Sequence, residues 1–486
     1  MPRIRTSEPI AKVDTAWLRM EQPTNLMMIT GVVTLAGPVE YERLLDTIRT
    51  RWLAFKRFRQ KAVDRPTGAH WVTDEDFEIH AHVRRVALPG KADQAELEEF
   101  VSDLASTALD PSRPLWQFHY IENYAGGPVI VQRIHHSYAD GIALVQVFLS
   151  LTDTAPEPPP AALDPAEWRK TQVEQSSVFR RLVEPAKNGF GLARHWTRKV
   201  TEEGLRVLAD PDRAAHFAGE ASGLARELVH SVSLPDDPKT IFKGRLGVRK
   251  RVAWAEPLPL DEVKALSKAL GCTVNDLLIA TVTGSLNSYL LDRGERPSAG
   301  TEIRATVPVN LRPLEHAREL GNHFGLVFLS LPVGESNPLK RVRFVSERMN
   351  ELKSGRQATV AFGLLAALGM GPSALQKPAL QLLSDKATTV LTNVPGPQQP
   401  LYFAGERVKD MMFWVPQNGS IGMGISIFSY DGQVFFGVIT DRKLVPEPHQ
   451  IIDRFRPEFE KLVYLSLLLP VDRPEAPLLA EALVRD

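Results

Sequence analysis

Cysteine is almost missing from the 486 residues: only Cys272 is present, which rules out an internal disulfide and a cysteine-rich metal site. A reducing, cytoplasmic setting is expected from that usage. An excess of charge of one sign is missing too, because 58 basic side chains offset 58 acidic ones. That balance removes the global signature of a nucleic-acid binder and of a protein held to an anionic surface by charge alone. No uninterrupted apolar run of about 18 residues occurs, and the opening MPRIRTSEPIAKVD has no apolar core of a secretory signal, so any membrane contact is expected to be peripheral. Several catalytic strings are absent as well. There is no GxSxG elbow, no HExxH and no P-loop, and Gly419, Gly422 and Gly424 lack the spacing of a dinucleotide fingerprint.

What is there centres on residues 128–149, PVIVQRIHHSYADGIALVQVFL. Positions 128–134 read as an inner strand, with Val129, Val131 and Arg133 on one side and Ile130, Gln132 and Ile134 on the other. Residues 118–124 are its expected hairpin partner across the turn at Gly126 and Gly127. The strand runs into His135 and His136, and paired imidazoles at the end of a buried strand are costly to desolvate unless something uses or satisfies them. Adjacent strand residues face opposite ways, so one of the two enters a given cleft and the other packs behind it. Asp140 lies close enough along the chain to accept from an imidazole or to pair with a cation elsewhere, and Gly141 permits a tight approach. Taken singly, a strand-end histidine is more often a core residue with its ring nitrogens paired.

The string His135, His136, three residues, Asp140, Gly141 resembles the HHxxxDG signature of the chloramphenicol acetyltransferase and condensation-domain superfamily. Further strings narrow the resemblance to the bacterial wax ester synthase/diacylglycerol acyltransferase family. They are KVDTAWLRMEQPTN near the start, the PLW of Pro114 to Trp116, NDLLIA from Asn275 and Asp276, VPVNLR ending at Arg312, and NVPGP from Asn393. The resemblance implies an α/β fold of two chloramphenicol-acetyltransferase-like domains, each a mixed sheet flanked by helices, with the active site in a tunnel between them. It implies an acyl-CoA-dependent O-acyltransferase that serves diacylglycerol or a long-chain alcohol, with no bound cofactor beyond acyl-CoA as donor and no metal. It also implies peripheral association with the inner face of the membrane or with lipid droplets, and no nucleic-acid partner. Asn25 stands where the family's opening motif usually has a histidine, and Ser137, Tyr138 and Ala139 fill the variable positions of the HHxxxDG string.

Composition divides the chain. Residues 1–152 form the first domain, ended by the proline-rich DTAPEPPPAALDP, which cannot continue a helix or an inner strand. Residues 153–238 hold this connector and a helical stretch, 167–232, whose aromatic and basic side chains suit either a helix covering the first domain or one lying at a membrane interface. Residues 239–486 return to alternating strands and helices as the second domain. In the first domain the spacing predicts strands at 26–35, 55–63 and 70–72, and helices at 41–52 and 94–109. In the second it predicts strands at 248–255, 303–309, 388–393, 422–429 and 433–440, and helices at 260–270 and 273–291. Asp431 and Gly432 make a hairpin turn between the last two strands. The chargeless, Ala-, Gly- and Leu-rich stretch 357–375 suits core packing or the wall of an acyl-chain tunnel.

Ester formation from a thioester needs a base for the acceptor hydroxyl and donors for the developing oxyanion. By resemblance His136 is the base, with His135 supporting it and Asp140 and Gly141 completing the motif. The resemblance pairs Asp140 with an arginine of the first domain, Arg59 in the FRQ string, or with Arg312 of the second. Asn275, Thr392 or a backbone amide supplies the oxyanion donor, and Asp276 caps its helix or faces the cleft. Trp116 is expected to position the hairpin that carries the histidines rather than to do chemistry, because it has no titratable group. Arg245, Arg249, Lys250 and Arg251 read as solvated surface or as contacts for CoA phosphates or an anionic lipid. Cys272 has no nearby basic residue and reads as a packed side chain, not a nucleophile. Two further functions fit the same residues: a condensation-type transferase taking its acyl group from a carrier protein, and a lipid-binding protein that keeps the fold without turnover.

Overall fold

The computed structural model describes residues 7–65, 68–138, 147–156, 234–310, 324–354 and 384–468. The pair Asp140 and Gly141, Arg312, and the stretches 167–232 and 357–375 lie outside the described residues.

Two seven-stranded mixed sheets frame the protein. The first runs Val83–Val86, Trp116–Ile121, Val129–His135, Met28–Leu35, Glu406–Trp414, Tyr402–Phe403 and Thr152–Asp153. The second runs Leu258–Pro259, Gln433–Asp441, Met423–Tyr430, Thr389–Pro395, Ile303–Asn310 and Phe324–Leu331, and Lys250–Trp254 also pairs with Gln433–Asp441. Each sheet has its own apolar core, the first around Trp52, Trp116 and Val131, the second around Leu278, Leu329 and Phe436. Helix Val274–Asp292 is buried along most of its length in the second core, which is why its sequence is apolar on every face. Among the described residues no single helix is long and apolar enough to cross a membrane.

The histidine strand sits inside the first sheet. Val129–His135 pairs antiparallel with Trp116–Ile121 on one edge and with Met28–Leu35 on the other, so Ile134 faces Trp116 and His135 faces Met28. All eight residues of Met28–Leu35 are buried, and such a strand must satisfy its backbone on both edges. Its second partner comes from the far end of the chain: Glu406–Trp414 pairs with it from Val408 opposite Leu35 to Trp414 opposite Thr30. A division of the chain at 153–238 therefore does not divide the fold, because a strand of the second half completes the first sheet.

A second seam joins the halves through side chains. Among the described residues no strand pairs with the second edge of Lys250–Trp254, and helix Gln94–Ala105 of the first domain covers it. Ser106 Oγ accepts from Lys250 N at 2.8 Å, Ser102 Oγ from Val252 N at 3.0 Å, and Glu98 Oε1 from Trp254 N at 3.3 Å. Gln94 Nε2 donates to Trp254 O at 3.0 Å. The match is geometric. Four helical residues advance about 6 Å, close to the ~6.6 Å of two strand residues, so positions 98, 102 and 106 meet every second strand amide. The basic run beginning at Arg245 is spent partly on this seam: Lys250 is buried on Asp441 at 2.9 Å, and Arg251 pairs with Glu99. Lys250 and Arg251 are thus taken up inside the protein, which neither of the two readings of the run, solvated surface or phosphate contact, includes.

One element changes type. Residues 55–63, expected as a strand carrying Arg57 and Arg59, open instead as a 3-10 turn, Lys56–Arg59, and only then extend as Gln60–Arg65. The turn buries Phe58 against Trp52, ring centroids 3.8 Å apart, which an extended chain would not allow. The Asp431–Gly432 hairpin forms as read, with φ of 46° and 74° at the two positions, the pair of positive values that a two-residue turn of this twist requires.

Candidate active site

Three anchors fix the turn after the histidine strand. His135 N donates to Leu115 O at 2.9 Å and His136 N donates to Met27 O at 2.7 Å. Tyr138, fully buried, donates from its hydroxyl to Gln60 O at 2.6 Å and accepts from Leu115 N at 3.0 Å. Its ring stacks on Phe58 at 5.8 Å and meets Trp71 edge-on at 4.6 Å. Burial drives the phenol pKa far above its ordinary value, so Tyr138 acts as a hydrogen-bonded post and not as an acid or base. The PLW element supplies two of these contacts through the Leu115 backbone. Trp116 anchors that element by donating from Nε1 to Phe58 O at 2.8 Å while stacking on His82 at 4.4 Å.

The two imidazoles have different surroundings. His135, 2% exposed, commits both ring nitrogens. Nδ1 accepts from Ser137 N at 3.1 Å and lies 2.8 Å from Ser137 Oγ, while Nε2 lies 3.2 Å from Glu21 Oε2. Because Nδ1 is an acceptor, the ring proton is on Nε2 and points at Glu21. His136, 4% exposed, lays its ring against the indole of Trp17, centroids 4.2 Å apart and planes 26° apart.

Glu21 ties this arrangement together, and the sequence reading did not single it out. Its carboxylate accepts from Met27 N at 3.2 Å as well as from His135, and Met27 is the residue whose carbonyl holds the His136 amide. Burial pushes the Glu21 carboxyl up, but the hydrogen bond and electrostatic pull of His135 and the Met27 amide outweigh it, leaving the pKa below the ordinary value. A signal did exist: Trp17 and Glu21 stand four apart at the end of helix Lys12–Met20, the spacing that puts two side chains on one face. We expect Glu21→Ala to cost about 1–3 kcal/mol at neutral pH, because the buried His135 N–H loses its acceptor. Glu21→Gln, which keeps an acceptor oxygen, should recover most of that loss. The depressed pKa gives the sign of the pH effect: the carboxylate's contribution is complete above its ordinary pKa and disappears as pH falls through the lowered folded value. Urea unfolding of the three proteins at neutral and acid pH checks both statements.

The opening segment also reaches the second half. Asn25, 3% exposed, donates from Nδ2 to Gly419 O at 3.0 Å and to Ile421 O at 3.3 Å, so one amide bridges the loop beside the histidines to the strand entry at 423. In the second half Asn393 of NVPGP donates from Nδ2 to Asn275 Oδ1 at 2.6 Å, joining two of the strings found in the sequence.

With this geometry in place the comparisons are decisive. Residues 10–278 match the wax ester synthase/diacylglycerol acyltransferase catalytic domain, and residues 320–463 match the WS/DGAT C-terminal domain. The chain belongs to the wax ester synthase/diacylglycerol acyltransferase family. It is an acyltransferase, as its relatives are. A probable diacylglycerol O-acyltransferase of Mycobacterium tuberculosis H37Rv is 29% identical over 476 residues, covering 96% of this chain and 97% of that one. The solved wax ester synthase/diacylglycerol acyltransferase of Marinobacter aquaeolei VT8 superposes with a TM-score of 0.65 at 21% identity, over 94% of this chain and all of that one. The first condensation domain of the calcium-dependent antibiotic synthetase superposes at 0.57 with 15% identity, over 95% of this chain and 96% of that one. Those two likenesses show the fold: α/β, two domains.

Within this family frame the remaining expected residues fall into place or out of it. Asp276 is a cap: its Oδ2 accepts from Thr273 N and from Ser346 Oγ, both at 3.1 Å, and Thr273 Oγ1 accepts from Asp276 N at the same distance. Thr392 is buried with its hydroxyl on the neighbouring strand, 3.3 Å from Ile425 O and from Ser426 Oγ, so as an oxyanion donor it would first have to break with that strand. Arg59 is exposed on the 3-10 turn, which corrects its place in an expected buried pair with Asp140. Arg57 is the inward member of that turn. Its guanidinium lies over Trp71 at 4.4 Å, and burial pulls its pKa down against the opposing pull of the Asp14 and Glu8 carboxylates. Arg57 and Arg59 part because of the change of element: a strand sets positions i and i+2 on one face, and the three residues per turn of a 3-10 helix do not. Cys272 is half-buried and burial pushes its thiol up to about 12, in keeping with a packed side chain.

Proposed function

We propose that this acyltransferase moves a long-chain acyl group from acyl-CoA to the free hydroxyl of diacylglycerol, with a long-chain alcohol as second acceptor and His136 as general base. The observation that carries the base assignment is the commitment of His135: both its nitrogens hold structure, so of the adjacent pair His136 is the one suited to proton transfer. In the reaction the His136 imidazole takes the acceptor's hydroxyl proton as the oxygen attacks the thioester carbon. The tetrahedral oxyanion collapses with cleavage of the C–S bond, and the imidazolium returns the proton to the CoA thiolate. No acyl-enzyme forms. Asn275 is the side chain we favour for the oxyanion. With Oδ1 held by Asn393, its remaining polar group is the Nδ2 donor, the polarity that a developing negative charge needs.

The relatives' names support diacylglycerol as acceptor, and the family description supports the alcohol. Acceptors of that kind reside in lipid, and we place the protein on the cytoplasmic face of a membrane or on a lipid droplet. Tyr464, Leu467 and Leu468 at the end of the last helix, each more than 60% exposed, support such a peripheral contact. The test is purified protein with palmitoyl-CoA, offered diacylglycerol or hexadecanol, following free CoA and neutral lipid together. Ester formation stoichiometric with CoA release is expected. CoA release that ignores both acceptors would mean thioester hydrolysis and end the proposal.

A further inference from the structure

Part of the basic run stays in solvent, and the fold brings it two further cations. Arg249 is exposed, as are Arg442 and Lys443 just past the strand Gln433–Asp441. One buried carboxylate assembles them. Asp441 Oδ2 accepts from Gly247 N at 2.8 Å and from Lys250 Nζ at 2.9 Å, and Oδ1 accepts from Lys443 N at 2.9 Å. Arg442 N donates to Arg249 O at 3.0 Å, which continues the strand pairing by one position and sets the two arginines across from each other. The Lys443 stem lies on Gly247, where a Cβ would come within 3.1 Å of it. Two exposed carboxylates of helix Gln94–Ala105 stand at this edge: Asp103 lies 3.6 Å from Arg249, and Glu99 pairs with Arg251. Among the described residues no carboxylate pairs with Arg442 or Lys443. Like charges across a strand pair repel, and burial followed by the charge of Arg442 holds the Arg251 pKa below its ordinary value.

Two tracks of hydrogen bonds run from this edge to the histidines. On one, Ser106 Oγ holds Lys250 N, and Arg133, next but one before His135, donates from Nη1 to Leu104 O at 2.8 Å and to Thr107 O at 2.7 Å. On the other, Asp441 N donates to Gly422 O at 2.6 Å, beside Ile421, whose carbonyl accepts from Asn25. The cations therefore rim the end of the first sheet at which His135 and His136 stand.

We propose that Arg249, Arg442 and Lys443 bind phosphate groups of the CoA portion of the thioester donor, so that the enzyme prefers a CoA thioester to one without the nucleotide. The proposal rests on the acyl-transfer reading above for the identity of the donor. CoA carries a diphosphate and a 3′-phosphate, and guanidinium forks and an ammonium match their oxygens. Its arm of about 13 bonds from sulfur to the first phosphorus spans about 16 Å at ~1.3 Å per bond, so the phosphates belong on a rim and not beside His136. An anionic lipid headgroup offers the same oxygens, and vesicle binding separates that source from CoA.

The first measurement needs no turnover: calorimetric affinity of adenosine 3′,5′-bisphosphate for the wild-type protein and for the double variant Arg442→Gln/Lys443→Gln. The variant is expected to bind about tenfold more weakly, and added salt to weaken the wild type more than the variant. Both side chains are exposed and Asp441 keeps its partners, so the variant should melt with the wild type. Arg249→Gln, which leaves the Arg249 carbonyl in place for Arg442 N, repeats the measurement in a second protein. Turnover with palmitoyl-CoA and with palmitoyl-N-acetylcysteamine then reads the preference. The ratio of kcat/KM for the two thioesters should drop about tenfold in the double variant, through KM for the CoA thioester. No binding of the nucleotide, equal affinities in wild type and variants, or an unchanged ratio would each overturn the proposal. So would a variant that keeps its nucleotide affinity and no longer sediments with phosphatidylglycerol vesicles, because the rim would then serve a lipid headgroup. If the wild type transfers the acyl group and nucleotide binding ignores the substitutions, the proposal fails and acyl transfer stands. If no thioester is consumed but the nucleotide binds and the substitutions weaken it, the acyl-transfer reading fails and the phosphate site stands.

Discussion

His136→Ala is expected to lower turnover by a factor on the order of a hundred or more, the usual range for removal of a general base. The fold should tolerate the change, because what positions this turn is not the His136 ring. The backbone amide of residue 136 still donates to Met27 O, Tyr138 still bridges Gln60 and Leu115, and His135 keeps Ser137 and Glu21. The loss is the ring stacked on Trp17, a buried surface that leaves a small cavity beside the indole. The comparison with His135→Ala separates the two imidazoles. Removing His135 strips Glu21 and Ser137 of a partner inside the protein, so that variant should lose stability as well as rate. Steady-state CoA release read beside thermal unfolding decides the case. A folded His136→Ala protein that turns over at close to the normal rate would sink the base assignment.

Trp116→Ala is expected to destabilise the protein by about 3–5 kcal/mol, the range for truncating a fully buried aromatic side chain. Against a typical total of about 5–15 kcal/mol, that is a large share of the stability. Trp116 is fully buried and touches Trp52, Phe58 and Phe118 edge-on and His82 face-on. Truncation also deprives Phe58 O of the indole donor. The consequence travels to the site over one residue, since Leu115 holds both His135 N and Tyr138 Oη. Trp116→Phe keeps part of the buried ring and should fall between alanine and wild type. Urea unfolding gives the ranking. A Trp116→Ala protein within 1 kcal/mol of wild type would mean that this cluster repacks freely and that the PLW element is not what supports the turn.

Which parts of the chain were legible without coordinates follows from how local each signal is. The strands at 303–309 and 433–440, the helix at 273–291 and the Asp431–Gly432 turn are written in residues within about ten positions of one another, by hydrophobic period, a capping threonine and a pair that accepts positive φ. Residues 55–63 show where local reading fails. Their pattern suits a strand, but Phe58 stacks on Trp52 and Tyr138, and the resulting turn sends Arg57 inward and Arg59 outward where a strand would have set both on one face. The composition break at 153–238 was equally plain. It does not reveal that Glu406–Trp414 returns to pair with Met28–Leu35, because a strand's need for a second neighbour does not say which part of the chain will meet it.

The sequence by itself determined the family, the elements around the histidines, and the residue types that acyl transfer requires. Tertiary structure alone decided that His135 is bound into the framework, because its partners, Ser137 and Glu21, act through ring nitrogens whose directions no spacing rule gives. It also decided that Asn25 and Asn275 find partners 394 and 118 residues away. Periodicity is a property of a few neighbouring residues, whereas satisfaction of a buried polar group depends on where the whole chain has gone.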